Sequence, residues 1–166
     1  MTDIIIRPVS LSDAERILEI YKPYVLETTI TFETELPTLE EIQDRILTTT
    51  LTYPYLIAEY EGKVVGYAYA GRFRKRQAYA QSAEISLYLD QNIRGKGLGK
   101  ALLSALEMEL RKIDIYTIIS IIESSNVGSL RFHEKNGFIR AGYLPRIGFK
   151  FDKWLDIHLL TKQIKY

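Results

Sequence analysis

The densest chemistry in the sequence lies in Arg94-Gly95-Lys96-Gly97-Leu98-Gly99-Lys100, three alternate glycines and three cations within seven residues. Glycines let the backbone approach a ligand closely, and successive N–H groups aimed outward from a helix N-terminus form an anion site. Arg94, Lys96 and Lys100 add positive charge at the same point, and Leu98 stands among them as the first apolar residue of the following helix. A pyrophosphate is the guest such a loop predicts. The spacing excludes two familiar nucleotide loops. A dinucleotide fingerprint needs glycine where Lys100 stands, and a nucleoside-triphosphate loop needs Ser or Thr where Ala101 stands and glycine where Arg94 stands. The plain alternative is a strand-to-helix turn with solvated basic residues, which requires neither three glycines nor three cations.

Acid–base candidates are few. In Ala83-Glu84-Ile85-Ser86-Leu87-Tyr88-Leu89, strand alternation puts Ile85, Leu87 and Leu89 on one face and Glu84, Ser86 and Tyr88 on the other. An internal strand of a parallel sheet is apolar on both faces, so the polar face predicts a cleft. Glu84 in a half-buried cleft has its pKa raised by desolvation, which suits a general base acting directly or through water. The competing reading pairs Glu84 with a nearby arginine. His133 is one of only two histidines and lies on a helix, where either a structural or a catalytic role is open; His158, in a strand, reads as structural. The strongest positive run, Arg72-Phe73-Arg74-Lys75-Arg76-Gln77-Ala78-Tyr79, precedes the Glu84 strand. It reads as a solvated loop, as a nucleic-acid patch with interleaved aromatics, or as a pocket whose arginine forks grip carboxylates beside the base.

The elements that must position these residues follow from periodicity, and together they give one α/β domain over residues 1–166. Ile4 to Arg7 reads as a strand. Capping boxes at Ser12-Asp13-Ala14-Glu15 and Thr38-Leu39-Glu40-Glu41 open two helices, joined by a long polar connection from Glu27 to Pro37 of the kind that is more often functional than accidental. Tyr55 to Tyr60 and Val64 to Ala70 form a hairpin about Glu61-Gly62-Lys63. Ala83 to Asp90, Gly97 to Lys112 and Tyr116 to Glu123 form a strand–helix–strand crossover, so that part of the sheet is parallel. Asn126 to Asn136 is a helix ending in a left-handed cap at Gly137, and Phe138 to Tyr143 and Trp154 to Leu160 are the last strands.

Composition narrows the chemistry further. The chain has no cysteine, 22 Lys+Arg against 21 Asp+Glu, and a net charge of +1. Disulfides, thiolate metal sites and a covalent cysteine intermediate are therefore out. A charge so close to zero provides no global field for nucleic acid or membrane, so any anion site is a local concentration. The three-isoleucine run before Arg7 is far short of a signal-peptide core, and a cytoplasmic location is the expectation.

With its Arg-x-x-Gly-x-Gly loop the sequence resembles the GNAT superfamily of N-acetyltransferases, and Asn126-Val127-Gly128-Ser129-Leu130-Arg131-Phe132-His133-Glu134-Lys135-Asn136-Gly137-Phe138 resembles that family's second cofactor motif, with histidine where tyrosine is frequent. Within the superfamily it is similar to phosphinothricin and methionine sulfoximine N-acetyltransferases from about Ile4 to Leu160. That likeness rests on Glu27-Thr28-Thr29, Thr31 to Glu35, Tyr69-Ala70-Gly71, Arg76, Ala78-Tyr79, Glu84, His133-Glu134, Gly148-Phe149-Lys150, Trp154 and Asp156. The resemblance implies a mixed, twisted sheet of seven strands flanked by four helices, acetyl-coenzyme A as cosubstrate, no metal, and a homodimer that takes neither nucleic acid nor membrane as partner. It implies that residues 94–100 bind the pyrophosphate, that Leu87, Tyr88 and Leu89 pair with the pantetheine arm, and that Asn126 and Ser129 touch it. It also implies that Phe32, Arg74, Arg76 and Tyr79 line the site for a small amino-acid amine, with Glu84 as base and His133 at a frequent acid position. Gln77 and Arg72-Phe73 depart from the pattern of those enzymes, which leaves other small amines and protein N-termini as alternative acceptors. Without cysteine or a serine elbow, direct attack in a ternary complex is the expected route.

Overall fold

A computed structural model describes residues 3–166. One seven-stranded sheet runs in the order β1-β2-β3-β4-β5-β7-β6. The strands are β1 (Ile4–Pro8), β2 (Tyr55–Tyr60), β3 (Lys63–Arg72), β4 (Ser82–Leu89), β5 (Thr117–Glu123), β6 (Ile139–Lys150) and β7 (Lys153–Gln163). Every pairing is antiparallel except β4 with β5, the crossover made by helix α3 (Leu98–Lys112). Helices α1 (Ala14–Glu27) and α2 (Leu39–Thr50) cover one face, and α3 with α4 (Val127–Lys135) the other.

Strand alternation builds the two cores. Leu56, Ala58, Ala68, Ile85, Ile118 and Ile122 turn toward the leucines of α3, while Tyr55, Ile57 and Tyr67 turn toward Ile17, Ile20, Val25, Ile42 and Ile46 of α1 and α2. The β2–β3 turn has positive φ at both Glu61 (52°) and Gly62 (75°), the twist that matches a tight hairpin. Thr38 and Glu41 form the reciprocal cap expected for α2, with bonds of 3.1 and 3.0 Å. No helix among the described residues is long and apolar enough to cross a membrane.

Three expectations shift. The box at Ser12 gives way to one at Ser10, because Asp13 accepts the Ser10 N–H at 2.7 Å and takes both arms of Arg7 at 2.8 Å, tying α1 to β1. Helix α3 starts at Leu98, since Gly97 adopts φ +74° and serves as the left-handed residue before it. Strands β6 and β7 run well beyond Phe138–Tyr143 and Trp154–Leu160. Pro145 hides the continuation in sequence, but β6 is an edge strand, and a register shift between Leu144 and Gly148 absorbs the proline.

Candidate active site

The site begins where the sheet opens. Strands β4 and β5 pair only at Ser82–Thr117, Ala83–Ile118 and Glu84–Ile119, after which they part. On its other side β4 stays paired with β3 as far as Leu89. Beyond Glu84 the backbone groups of β4 that would face β5 therefore find no strand partner and turn, in mid-sheet, toward a slot. Buried backbone donors and acceptors require partners, so this edge is a template for an extended ligand carrying amides. The slot holds a cavity of about 80 Å³ bounded by Ser86, Leu87, Ser120, Asn126, Ser129 and His133, with Ile30 at its rim.

At the α3 end the slot meets a wider cavity of about 460 Å³, lined by Leu87, Leu89, residues 95–100, Phe132 and Asn136. Gly95 and Gly97 hold φ of +69° and +74°, and nothing stands within 4 Å of where their side chains would begin. Their backbone is bare toward the cavity. Gly99 is needed for a different reason: a Cβ there would come within 3.2 Å of the Phe132 ring. None of Arg94, Lys96 and Lys100 has a carboxylate partner among the described residues. Bare N–H groups, the N-terminus of a 15-residue helix and three free cations meet the requirements of a pyrophosphate. Tyr24 of α1 donates to the Leu89 carbonyl at 2.5 Å, and Arg16 grips Asp90 at 2.5 Å, so the strand that leads into the loop is held from the opposite face.

Glu84 sits at the fork itself, as the last paired residue of the parallel ladder. Its half-buried carboxyl is pushed above the usual carboxylate range by desolvation alone. It has no ion-pair partner among the described residues, so the arginine-paired alternative does not hold. Ser86 and Tyr88 share its face, where Tyr88 packs edge-on against Tyr21 and Tyr24 with centroids 5.1 Å away. The slot shares Leu87 with the cavity at the glycine loop and runs to Ile85 and Ser86, next to Glu84 in the strand.

His133 is buried, 6% exposed, between the rings of Phe132 and Phe138. Its Nδ1 lies 2.8 Å from the Ser129 carbonyl and its Nε2 3.0 Å from Ser120 Oγ. Burial lowers its pKa, so it is neutral at pH 7. The helix beneath it is fixed at both ends. Asn126 caps the Ser129 N–H at 3.3 Å, and Gly137 at φ +93° closes a Schellman motif in which Phe138 N–H reaches the His133 carbonyl at 3.1 Å.

The four residues expected for the amine acceptor are not gathered into one cavity. Arg74, Arg76 and Tyr79 are exposed on the β3–β4 connection, at the Glu84 end of β4. Tyr79 stands edge-on to Phe73 at 5.8 Å, and Arg74 lies 5.5 Å over the Phe73 ring. Phe32 is on the α1–α2 connection and presses on Gly148 of β6, where a Cβ would fall 2.3 Å from its ring.

Several contacts of this region lie beyond the sequence reading. Thr29 donates to the buried Glu123 at 2.7 Å, Lys150 reaches the Thr31 carbonyl at 2.9 Å, and Tyr21 meets Thr31 Oγ1 at 2.6 Å. Burial pushes Glu33 upward, but its bonds to Arg45 and Tyr21 outweigh that and hold it below the usual range. These ties fasten the α1–α2 connection over the slot. The one signal available for Ser120 was a lone hydroxyl among Ile118, Ile119, Ile121 and Ile122.

A family model described as acetyltransferase (GNAT) domain matches residues 6–159. The phosphinothricin N-acetyltransferase of Alcaligenes faecalis is 36% identical over 163 residues, covering 96% of this chain and 82% of the relative. The L-methionine sulfoximine/L-methionine sulfone acetyltransferase of Salmonella typhimurium is 34% identical over 166 residues, covering 96% and 94%. A crystal structure of a phosphinothricin acetyltransferase from Sinorhizobium meliloti in complex with acetyl-coenzyme A superposes with a TM-score of 0.92 at 37% identity, covering 96% of this chain and 88% of that one.

Proposed function

The chain belongs to the GNAT acetyltransferases, for which acetyl-coenzyme A is the acyl donor, and from that premise we propose that it acetylates the α-amine of a phosphinothricin-like amino acid by direct attack in a ternary complex. Phosphinothricin, methionine sulfoximine and methionine sulfone are the acceptors meant. The observation that carries the reading is the unpaired, desolvated Glu84 at the fork of an opened ladder that leads to a bare glycine loop.

Acetyl-coenzyme A, when bound, supplies a thioester; residues 94–100 hold its pyrophosphate, Leu87 to Leu89 meet its amides, and Asn126 and Ser129 lie along its arm. Glu84 takes the proton that the ammonium must lose before its nitrogen can attack; the C–N bond forms as the thioester C–S bond breaks, and coenzyme A leaves as a thiolate that takes up the second proton released by the attacking nitrogen. A raised carboxyl pKa narrows the gap to the amine and makes the transfer less uphill. The unpaired N–H groups of β4 near Leu87 are the donors available for charge developing on a carbonyl oxygen. His133, neutral and committed at Nδ1, stands on the thiol side of the slot.

The acceptor's carboxylate and its tetrahedral head suit Arg74 and Arg76, and Phe32 and Tyr79 supply the walls. The chain functions as a homodimer in this reading. Ile147, Phe149 and Trp154, each more than half exposed on β6 and β7, are the surface a second copy would cover. A thiol-release assay against phosphinothricin, methionine sulfoximine, methionine sulfone, polyamines and peptides tests the proposal. The three amino acids should give the highest kcat/KM, and a polyamine or peptide exceeding them by tenfold would overturn the substrate class.

A further inference from the structure

We propose that Ser120 accepts a hydrogen bond from an amide N–H of the pantetheine arm and that His133 is the positioning residue that gives the serine this polarity. The inference rests on the acetyl-coenzyme A reading of the slot and adds to it a residue of β5.

Ser120 interrupts an otherwise isoleucine core of β5; its same-face neighbours Ile118 and Ile122 are buried in the α3 core, and it is itself only 6% exposed. A hydroxyl so placed is costly unless satisfied. The hydrogen-bond accounting around His133 fixes how. The Ser129 carbonyl, 2.8 Å from Nδ1, can only accept, whereas the Ser129 hydroxyl, 3.3 Å from the same nitrogen, can turn its hydrogen elsewhere, so Nδ1 carries the hydrogen. Burial keeps the imidazole neutral, and its contacts are Ser120 from β5, Ser129 from its own helix, and the Phe132 and Phe138 rings, without a charged side chain among them. Nε2 is therefore a bare lone pair, and the Ser120 hydroxyl hydrogen points to it across 3.0 Å. The two aromatic rings, centroids 5.3 and 4.9 Å from the imidazole, hold the ring plane.

The consequence lies on the other side of the oxygen. With its only hydrogen spent on His133, Ser120 Oγ presents lone pairs alone to the slot that it lines. It can welcome an N–H donor there and it repels a carbonyl oxygen. The pantetheine arm alternates amide N–H and C=O groups, so an acceptor at one fixed point on β5, opposite the unpaired edge of β4, selects which amide faces it. The register of the arm, and with it the position of the thioester relative to Glu84, follows from that choice.

Calorimetric binding of acetyl-coenzyme A, which requires no turnover, is the test. Ser120→Ala should weaken Kd about tenfold, the worth of one hydrogen bond, and Ser120→Thr, which keeps the hydroxyl, should recover most of it. An acetyl-coenzyme A analogue with an ester in place of the thiol-proximal amide lacks the N–H. Wild type should bind it less tightly than the parent, and Ser120→Ala should not distinguish the two. Nitrogen-15 spectra in a His158→Gln background should show His133 as the Nδ1–H tautomer. Equal Kd values for wild type and Ser120→Ala, equal losses with the ester in both proteins, or a protonated Nε2 would each overturn the proposal while leaving the acetyl-coenzyme A reading intact. Absence of acetyl-coenzyme A binding by wild type would overturn both.

Discussion

The two halves of the site are built in opposite ways. The proposed cofactor half comes from the open edge of β4 with Ser120 of β5 across the slot, and from two continuous stretches, residues 94–100 and 126–137, each tied to a helix terminus whose dihedrals and caps fix its shape. The proposed acceptor half draws Phe32, Arg74, Arg76 and Tyr79 from two connections far apart in sequence, and all four are exposed. Backbone N–H groups at a glycine loop recognise one invariant chemical group. Side chains on surface connections can be exchanged without disturbing the sheet. A site made this way can change its acceptor without disturbing its donor loop, and Glu84 stands between the two proposed halves, as the last paired residue of β4 on β5.

Breaking the boundary should have the largest effect. Glu84→Gln is expected to lower kcat by about a hundredfold or more, the usual loss for a positioned base, with both KM values little changed. In wild type the rate should rise with pH through the raised Glu84 pKa, since the carboxylate is the active form; the variant should lose that limb. The stability effect runs the other way. With its folded pKa above the unfolded one, Glu84 binds more protons in the folded state, so its contribution to stability falls as pH rises between the two values. Glu84→Gln should therefore raise Tm at pH 7 while it lowers activity. A pH–rate limb that persists in the variant would remove Glu84 as the base.

The next largest effects should separate the halves cleanly. Arg76→Met is expected to raise KM for the amino acid about tenfold and leave that for acetyl-coenzyme A alone, the loss of one charge-assisted contact. Arg94→Met should do the reverse. Crossed effects in initial-rate measurements would mean that the two halves share a charge. Gly97→Ala forces a Cβ onto a residue at φ +74° and should cost about 1 kcal/mol of stability, read as a lowered Tm, together with a several-fold weaker Kd for acetyl-coenzyme A. An unchanged Tm and Kd would mean that the loop relaxes and is not preformed.

The same contrast decides what was legible in the sequence. The phosphate loop, the crossover at β4 and β5, and the Gly137 cap could be read because their signals are local: glycine spacing, alternation, a helix stop. The extent of β6 could not, because Pro145 reads as a terminator unless the strand is known to lie at an edge, which is a property of the whole sheet. Nor could the partners Thr29–Glu123 and Thr31–Lys150, which lie 94 and 119 residues apart. Glu84's exposure to a cleft was inferable from the polar face of its strand, but the fork that creates the cleft is a pairing that stops, and no residue type announces a missing bond.

The smallest expected effect asks where the halves meet. Thr29 Oγ1 donates to Glu123 at the end of β5, and the next residue, Ile30, is at the rim of the slot. Thr29→Val removes that hydrogen bond and little volume. Glu123 keeps the Ser125 N–H and hydroxyl as partners, so the carboxylate is not orphaned, and the α1–α2 connection keeps its ties through Tyr21, Glu33 and Lys150. One of several parallel restraints is lost, and the change should be about twofold to threefold, well within the range of a single neutral hydrogen bond. If the connection serves the acceptor through Phe32, that change appears in KM for the amino acid. If it appears instead in KM for acetyl-coenzyme A, the connection is the roof of the slot, and the boundary between the halves runs through Phe32 and not through Glu84.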